Sequence, residues 1–299
     1  MTWKGSKALI GVIVVTGFWG VEGYAADKTD LGPPPSEQNW QIGLTPSYSS
    51  GNYGTNTTSS FFYAPISIRR FFKDGDVSLV IPFVTTTTNG TATLVGGQPT
   101  QILPPSCSDN SGSGNPRDRE ECQGTGGGTG SVRGQKVTTS GLGDIILRGR
   151  YYIVEEKDWT PLIAITGRLK LPTASESRGL GTGKMDEGLG AEVSKRVGDN
   201  WITFLDGGFN IIGRPEGLNL RNQWWYDVGG GYYFTKDLLA SVYFEEYRSL
   251  VSGAQNIRDV FFGMNYRASS AWRFNGGLAL GLSNGAPDHA LSIGTSYRF

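Results

Sequence analysis

The chain has 299 residues, and its 27 lysines and arginines are matched by 27 aspartates and glutamates, so no basic surplus exists to hold a nucleic-acid backbone. Hydrophobic residues make up 37%, charged residues 18%, and there are 45 glycines, a balance that favours strand and turn over an ordinary packed core. The mean hydropathy is −0.27, and beyond residue 25 no apolar run approaches the ~20 residues of a spanning helix, which excludes a helical membrane protein.

At the start of the chain, Lys4 and Lys7 precede an apolar stretch from Ala8 to Trp19, and Gly23-Tyr24-Ala25 offers small residues where a signal peptidase reads. The pattern predicts a signal peptide over residues 1–25, cleaved after Ala25, and an exported protein. An N-terminal membrane anchor is the other reading, but the run is short and lacks the flanks of a spanning helix. Residues 26–39, with Pro33-Pro34-Pro35, read as an extended segment lying in the periplasm or entering the barrel.

From residue 40 onward the period is two. Apolar or aromatic residues alternate with Gly, Ser, Thr or charges over segments of about 9 to 13 residues, the span of a tilted transmembrane strand. Twelve such segments follow: 40–49, 59–72, 77–88, 144–154, 160–171, 187–197, 201–212, 222–234, 238–249, 256–266, 272–282 and 289–299. The connections between them alternate short and long, as periplasmic turns and external loops do in outer-membrane barrels. The predicted fold is therefore all-β, a transmembrane antiparallel up-and-down β-barrel of about twelve strands over residues 40–299. A soluble sheet would explain neither this alternation nor the aromatic residues gathered near strand ends at Trp40, Phe71, Phe72, Trp159, Trp201, Trp224, Trp225, Phe234 and Trp272.

The connection over residues 89–143 is several times longer than the ~12 to 15 residues of an ordinary loop, and it reads as a polar external loop or an inward-folded constriction. It carries Cys107 and Cys122, for which a loop-closing disulfide is the economical reading in an exported chain, with free or metal-binding thiols as the alternative. The last strand places Leu291, Ile293, Thr295, Tyr297 and Phe299 on one face and Ala290, Ser292, Gly294, Ser296 and Arg298 on the other. Its terminal Phe299, with Tyr297 two positions before, resembles the signal that the barrel assembly machinery recognises during biogenesis.

With each polar face turned inward, the lumen would carry Arg69, Arg148, Arg150, Arg168, Lys170, Arg273 and Arg298. Against them stand Glu192, Asp206, Asp227, Glu245 and Asp259, all on strands six to ten. Two facing walls of opposite charge give a transverse field that orients polar solutes in a channel. Alternatively the same ions pair and fill a narrow, plugged barrel.

Several short motifs in order carry a family resemblance: Gly141-Leu142-Gly143-Asp144, then Lys170-Leu171-Pro172-Thr173, then Gly179-Leu180-Gly181-Thr182-Gly183. The stretch from Asn219 to Asn222 after Pro215 follows, and the ending from Gly281 to Asp288 runs on to Tyr297-Arg298-Phe299. Over roughly residues 141–299 the chain resembles an outer-membrane family labelled a transporter of the meta-cleavage pathway for phenol degradation. The resemblance implies a barrel and passage of aromatic or other small compounds, and it supplies no site residues.

Catalysis has one route here, because the chain contains a single histidine, His289, through which any barrel hydrolase would have to work. An exposed rim histidine is the commoner case, so no catalytic residue is assigned. No metal or cofactor is expected, since there is no His cluster, paired CxxC or spaced acidic loop. The sequence thus predicts a passive channel whose partners are outer-membrane lipid and a small-molecule solute.

Overall fold

The computed structural model describes residues 38–55, 57–102 and 135–299. Strands β1 (Trp40–Leu44) and β2 (Ser47–Gly51) are one barrel strand interrupted at Thr45-Pro46. Then come β3 (Ser59–Phe72), β4 (Gly75–Thr88), a small hairpin of β5 (Ala92–Val95) and β6 (Gln98–Gln101), and β7 (Val137–Leu142) with β8 (Ile145–Val154), again one interrupted strand. The rest are β9 (Leu162–Leu171), β10 (Asp186–Val197), β11 (Trp201–Ile211), β12 (Gln223–Thr235), β13 (Leu238–Tyr247), β14 (Ile257–Arg267), β15 (Trp272–Gly281) and β16 (His289–Arg298).

All but β5 and β6 belong to one antiparallel sheet in which sequence neighbours pair. With the two interrupted strands counted once each, it has twelve strands, and β1 and β2 pair with both β3 and β16, so it closes on itself. The seam ends on a reciprocal pair of bonds: Trp40 N–H donates to Phe299 O at 2.9 Å, and Phe299 N–H donates to Trp40 O at 2.8 Å. Closure pairs the spanning strands on both sides, the condition for a sheet in hydrocarbon, while β7, past the end of β9, pairs with β4 alone.

Burial along the strands follows the period of two. In β14, Ile257, Asp259, Phe261, Gly263 and Asn265 are buried, while Arg258, Phe262, Met264 and Tyr266 turn outward. The outward set around the barrel is apolar: Ile66, Phe83, Leu147, Ile165, Leu205, Val228, Val242, Phe262, Leu278 and Leu291 are all exposed. Near the short-turn end it becomes an aromatic belt, with Trp272 packed on Tyr297 (ring centroids 5.0 Å apart) and Trp201 on Tyr232 (4.9 Å). Arg70 lies over the rings of Trp40 and Phe72, at 4.9 and 5.6 Å, as a cation anchoring an interfacial belt does.

Two of the aromatics expected at the strand ends sit inside instead. Phe71 and Trp225 each adjoin another aromatic, Phe72 and Trp224, and alternation sends only one of two adjacent side chains outward. Phe71 is buried under the guanidiniums of Arg69 and Arg298, at 4.8 and 4.0 Å from its ring centre. Trp225 packs against Tyr247.

The sequence segment 144–154 also starts too late, because pairing of Val137–Leu142 with β4 carries that strand further into the long connection. Between β7 and β8 the ladder is bridged by Gly143 N–H donating to Pro82 O at 2.8 Å. Residues 1–37 and 103–134, and with them the expected signal peptide and Cys107 and Cys122, lie outside the described residues.

Candidate functional site

The inner wall is built in horizontal rows, because antiparallel register sets residues of neighbouring strands side by side. One row runs across five strands: Glu192 on β10 pairs in register with Asp206 on β11, Asp206 with Asp227 on β12, Asp227 with Glu245 on β13, and Glu245 with Asp259 on β14. All five carboxylates are buried, and Glu245 and Asp259 are 0% exposed. Directly opposed residues have Cβ atoms about 4.5 to 5.5 Å apart, and like charges so placed oppose the fold. Five acidic side chains thus share one level of the inner wall.

Apolar rows bracket the carboxylates. Two residues nearer the short-turn end, Phe204, Gly229, Tyr243, Phe261, Ala279 and Ala290 stand in consecutive register across β11 to β16. Their rings touch: Phe204 and Tyr243 have centroids 4.4 Å apart, and Tyr243 and Phe261 are 6.0 Å apart. Glycines make the seats, since a Cβ at Gly277 would collide with the Phe261 ring and one at Gly229 would come 2.9 Å from Phe204. Two residues on the other side of the carboxylates, Trp225, Tyr247 and Ile257 form a second apolar row. Of the tyrosines that could line a greasy path, Tyr243 and Tyr247 face inward, and Tyr226 and Tyr232 lie on the outward parity of β12.

Several basic residues of the inner wall have close counter-ions. Arg69 on β3 holds Asp76 on β4 through Nε–Oδ1 at 2.8 Å and Nη2–Oδ2 at 2.6 Å. Arg150 on β8 lies 3.8 Å from the same carboxylate and binds Glu192 through Nε at 2.9 Å and Nη2 at 3.1 Å. Nearer the long-loop end, Lys170 on β9 contacts Asp186 at 2.8 Å, Asp144 at 3.3 Å and the Thr182 hydroxyl at 2.8 Å. The field across the lumen is therefore less simple than two bare walls: Arg69, Arg150 and Lys170 are neutralised locally, and Glu192 belongs to both the network and the row. Arg148, Arg273 and Arg298 are also buried. Arg168 is half-buried and donates through Nη2 to Gly96 O at 2.5 Å.

Asp76, Asp144 and Asp186 are absent from the lumen charges expected from the sequence. The segment expected from residue 77 begins too late, since Asp76 shares the parity of Ser78, Val80 and Val84 and β4 extends back to Gly75. His289 opens β16 at the long-loop end, exposed on the outward parity and apart from the inner carboxylates.

The mouth at that end is filled by the β5–β6 hairpin. Ala92 and Leu94 are buried with Tyr53, Phe61, Tyr63, Val84, Ala174 and Leu180, and Val95 with Ile212, Leu220, Leu250 and Val251. Tyr53, in the connection between β2 and β3, reaches the Ser49 hydroxyl at 3.2 Å, and burial pushes its phenol well above the usual range, so it stays neutral. A Gly-Gly pair between strand-forming residues was the signal for this hairpin, and both glycines have positive φ, +60° at Gly96 and +86° at Gly97.

A protein family described as "Putative MetA-pathway of phenol degradation" matches residues 72–299. The chain belongs to that family. The match extends well beyond the motifs near residue 141 and takes in the carboxylate row, both apolar rows and the hairpin. No curated protein matches the chain in sequence. Among solved structures it is similar to the COG4313 outer membrane channel from Pseudomonas putida F1, with a TM-score of 0.61 and 12% identity over 90% of this chain and 98% of that one. Identity so low speaks for a shared fold. More distant likenesses are the KdgM porin (TM-score 0.48, 9% identity, 87% of this chain and 99% of that one) and the P. putida toluene transporter TodX (0.41, 12%, 89% and 91%).

Proposed function

We propose that the protein is a passive outer-membrane channel for small solutes, aromatic compounds among them, with no catalytic step. The observation that carries this reading is the layered inner wall: a row of five carboxylates between two apolar rows, inside a barrel whose outer face is apolar. Aromatic rings give a flat solute contact area, and carboxylates at the same level orient its polar or cationic end. The family description agrees with an aromatic solute. On this reading the long loops face outward, the short turns face the periplasm, residues 1–25 direct export, and Tyr297 and Phe299 serve assembly.

The test is planar-bilayer recording of the refolded protein under a salt gradient. Replacing Asp227 by Asn together with Glu245 by Gln removes two negative charges from the row, so the reversal potential is expected to move toward anions and the cation-to-anion permeability ratio to fall severalfold. An unchanged reversal potential would take selectivity away from the row. An aromatic acid should reduce the current where a neutral sugar does not.

One observation favours a second reading, a plugged or structural barrel. Lys170, Glu245 and Asp259 are each 0% exposed, so water does not reach them in this conformation. Complete electrical silence from protein verified as folded would establish that alternative.

A further inference from the structure

The β5–β6 hairpin forms a two-stranded sheet of its own, outside the hydrogen-bonded ladder of the barrel. It hangs from the long-loop end of β4 by Asn89, Gly90 and Thr91. Gly90 has φ +87°, and the Asn89 side-chain carbonyl accepts from both the Thr91 amide and the Thr91 hydroxyl, at 3.3 and 2.6 Å. From this stem the hairpin crosses the mouth. Leu94 reaches the wall formed by Phe61, Tyr63 and Leu180, and Val95 reaches the loops carrying Leu220 and Leu250 on another side.

All eight of its strand residues are buried, and side-chain hydrogen bonds tie it to the wall. Arg168 donates to Gly96 O at 2.5 Å, the Thr93 hydroxyl donates to Gly179 O at 3.0 Å, and Gln223 Nε2 donates to Gln98 Oε1 at 3.4 Å. Gly97 lies against the Tyr63 ring, where a Cβ would come within 3.0 to 3.2 Å. The contact level of the tip is Gly188–Asn210–Gln223, which Arg168 joins in register, four residues along β10, β11 and β12 from the carboxylate row. The tip thus stands between the mouth and the level of the carboxylates.

We propose that β5–β6 is a built-in gate of the channel, latched shut by Arg168 and Gln223 and able to swing out on the Asn89–Thr91 stem while the barrel ladder stays intact. The proposal rests on the channel reading above. A plug woven into the sheet would need ladder bonds broken to move. This hairpin needs its side-chain latches, those of Arg168, Thr93 and Gln223 among them, and its apolar seats released, with no bond of the barrel ladder broken, which is what a gate requires. Arg168 is thus a positioning residue, acting through the hairpin carbonyl it holds.

The experiment compares single-channel records of the full chain with three variants: Ala92–Gln101 replaced by a short Gly-Ser link, Arg168→Gln, and both changes together. Excision is expected to raise unitary conductance severalfold. Arg168→Gln in the intact chain is expected to raise open probability severalfold, and to have no effect on opening once the hairpin is gone. A merely structural arginine would disturb both backgrounds alike. The paired substitution Leu94→Gln and Val95→Gln, which loosens the seats and leaves the barrel sequence untouched, should also raise open probability if the excised chain does not fold. Folded variants that conduct and open like the parent would overturn the gate and leave the channel standing. Silence of every folded form, excised chain included, would instead overturn the channel.

Discussion

Replacing Asp76 by Ala is expected to destabilise the barrel by about 3 to 5 kcal/mol, read as a lowered urea midpoint for the folded protein in detergent micelles. The reason is asymmetry. Asp76 is the counter-ion that Arg69 grips at 2.6 and 2.8 Å and that Arg150 approaches at 3.8 Å, and all three side chains are almost completely buried. Without the carboxylate, Arg69 loses its two-point contact and faces Arg150, which keeps Glu192, in a space with little water, so a large part of the cost of burying Arg69 is no longer offset. Asn in place of Ala keeps an acceptor and should recover part of the loss.

The pair Arg267–Asp237 is the contrast. Its Nη2–Oδ1 distance is just as short, 2.8 Å, but its side chains are 23 and 29% exposed. There Arg267→Ala should cost no more than about 1 kcal/mol, because water replaces the lost partner. A change below 1 kcal/mol for Asp76→Ala would mean that the inner network does not depend on this carboxylate.

The second large effect lies on the other face. Val242, midway along β13, is 45% exposed and stands in register with Phe262 on β14 and Gly230 on β12. Val242→Arg is expected to cost about 2 to 4 kcal/mol in lipid vesicles, the penalty for a cation at the bilayer midplane. Tyr266→Arg, on the same outward parity but at the short-turn end of β14, should cost about 0 to 1 kcal/mol, since the side chain reaches the interface. This depth dependence is the signature of lipid. Equal costs at the two positions would mean that the outer face does not sit in a bilayer.

Much of the fold was legible because a strand's facing is a local property. Leu291, Ile293 and Tyr297 turn outward and Ala290, Ser296 and Arg298 inward, as alternation alone requires. The same rule, read one pair further, would have moved Phe71 and Trp225 from the belt to the interior. Ser59–Phe72 was read with both boundaries correct, since the Lys73-Asp74 turn and the polar stretch before it mark its ends. Val137–Leu142 was missed because Val-Thr-Thr-Ser-Gly-Leu has no apolar alternation strong enough to announce a strand, and only β4 waiting alongside gives it a ladder partner.

The sequence by itself determined an antiparallel, two-faced barrel and the family, because each depends on residues one or two positions apart or on contiguous motifs. Only the tertiary structure decided that Glu192, Asp206, Asp227, Glu245 and Asp259 form one row, that Asp76 is shared by Arg69 and Arg150, and that Ala92–Gln101 turns into the mouth. Those facts depend on the stagger between strands and on the curvature that brings distant walls together, and both are set when the sheet closes on itself.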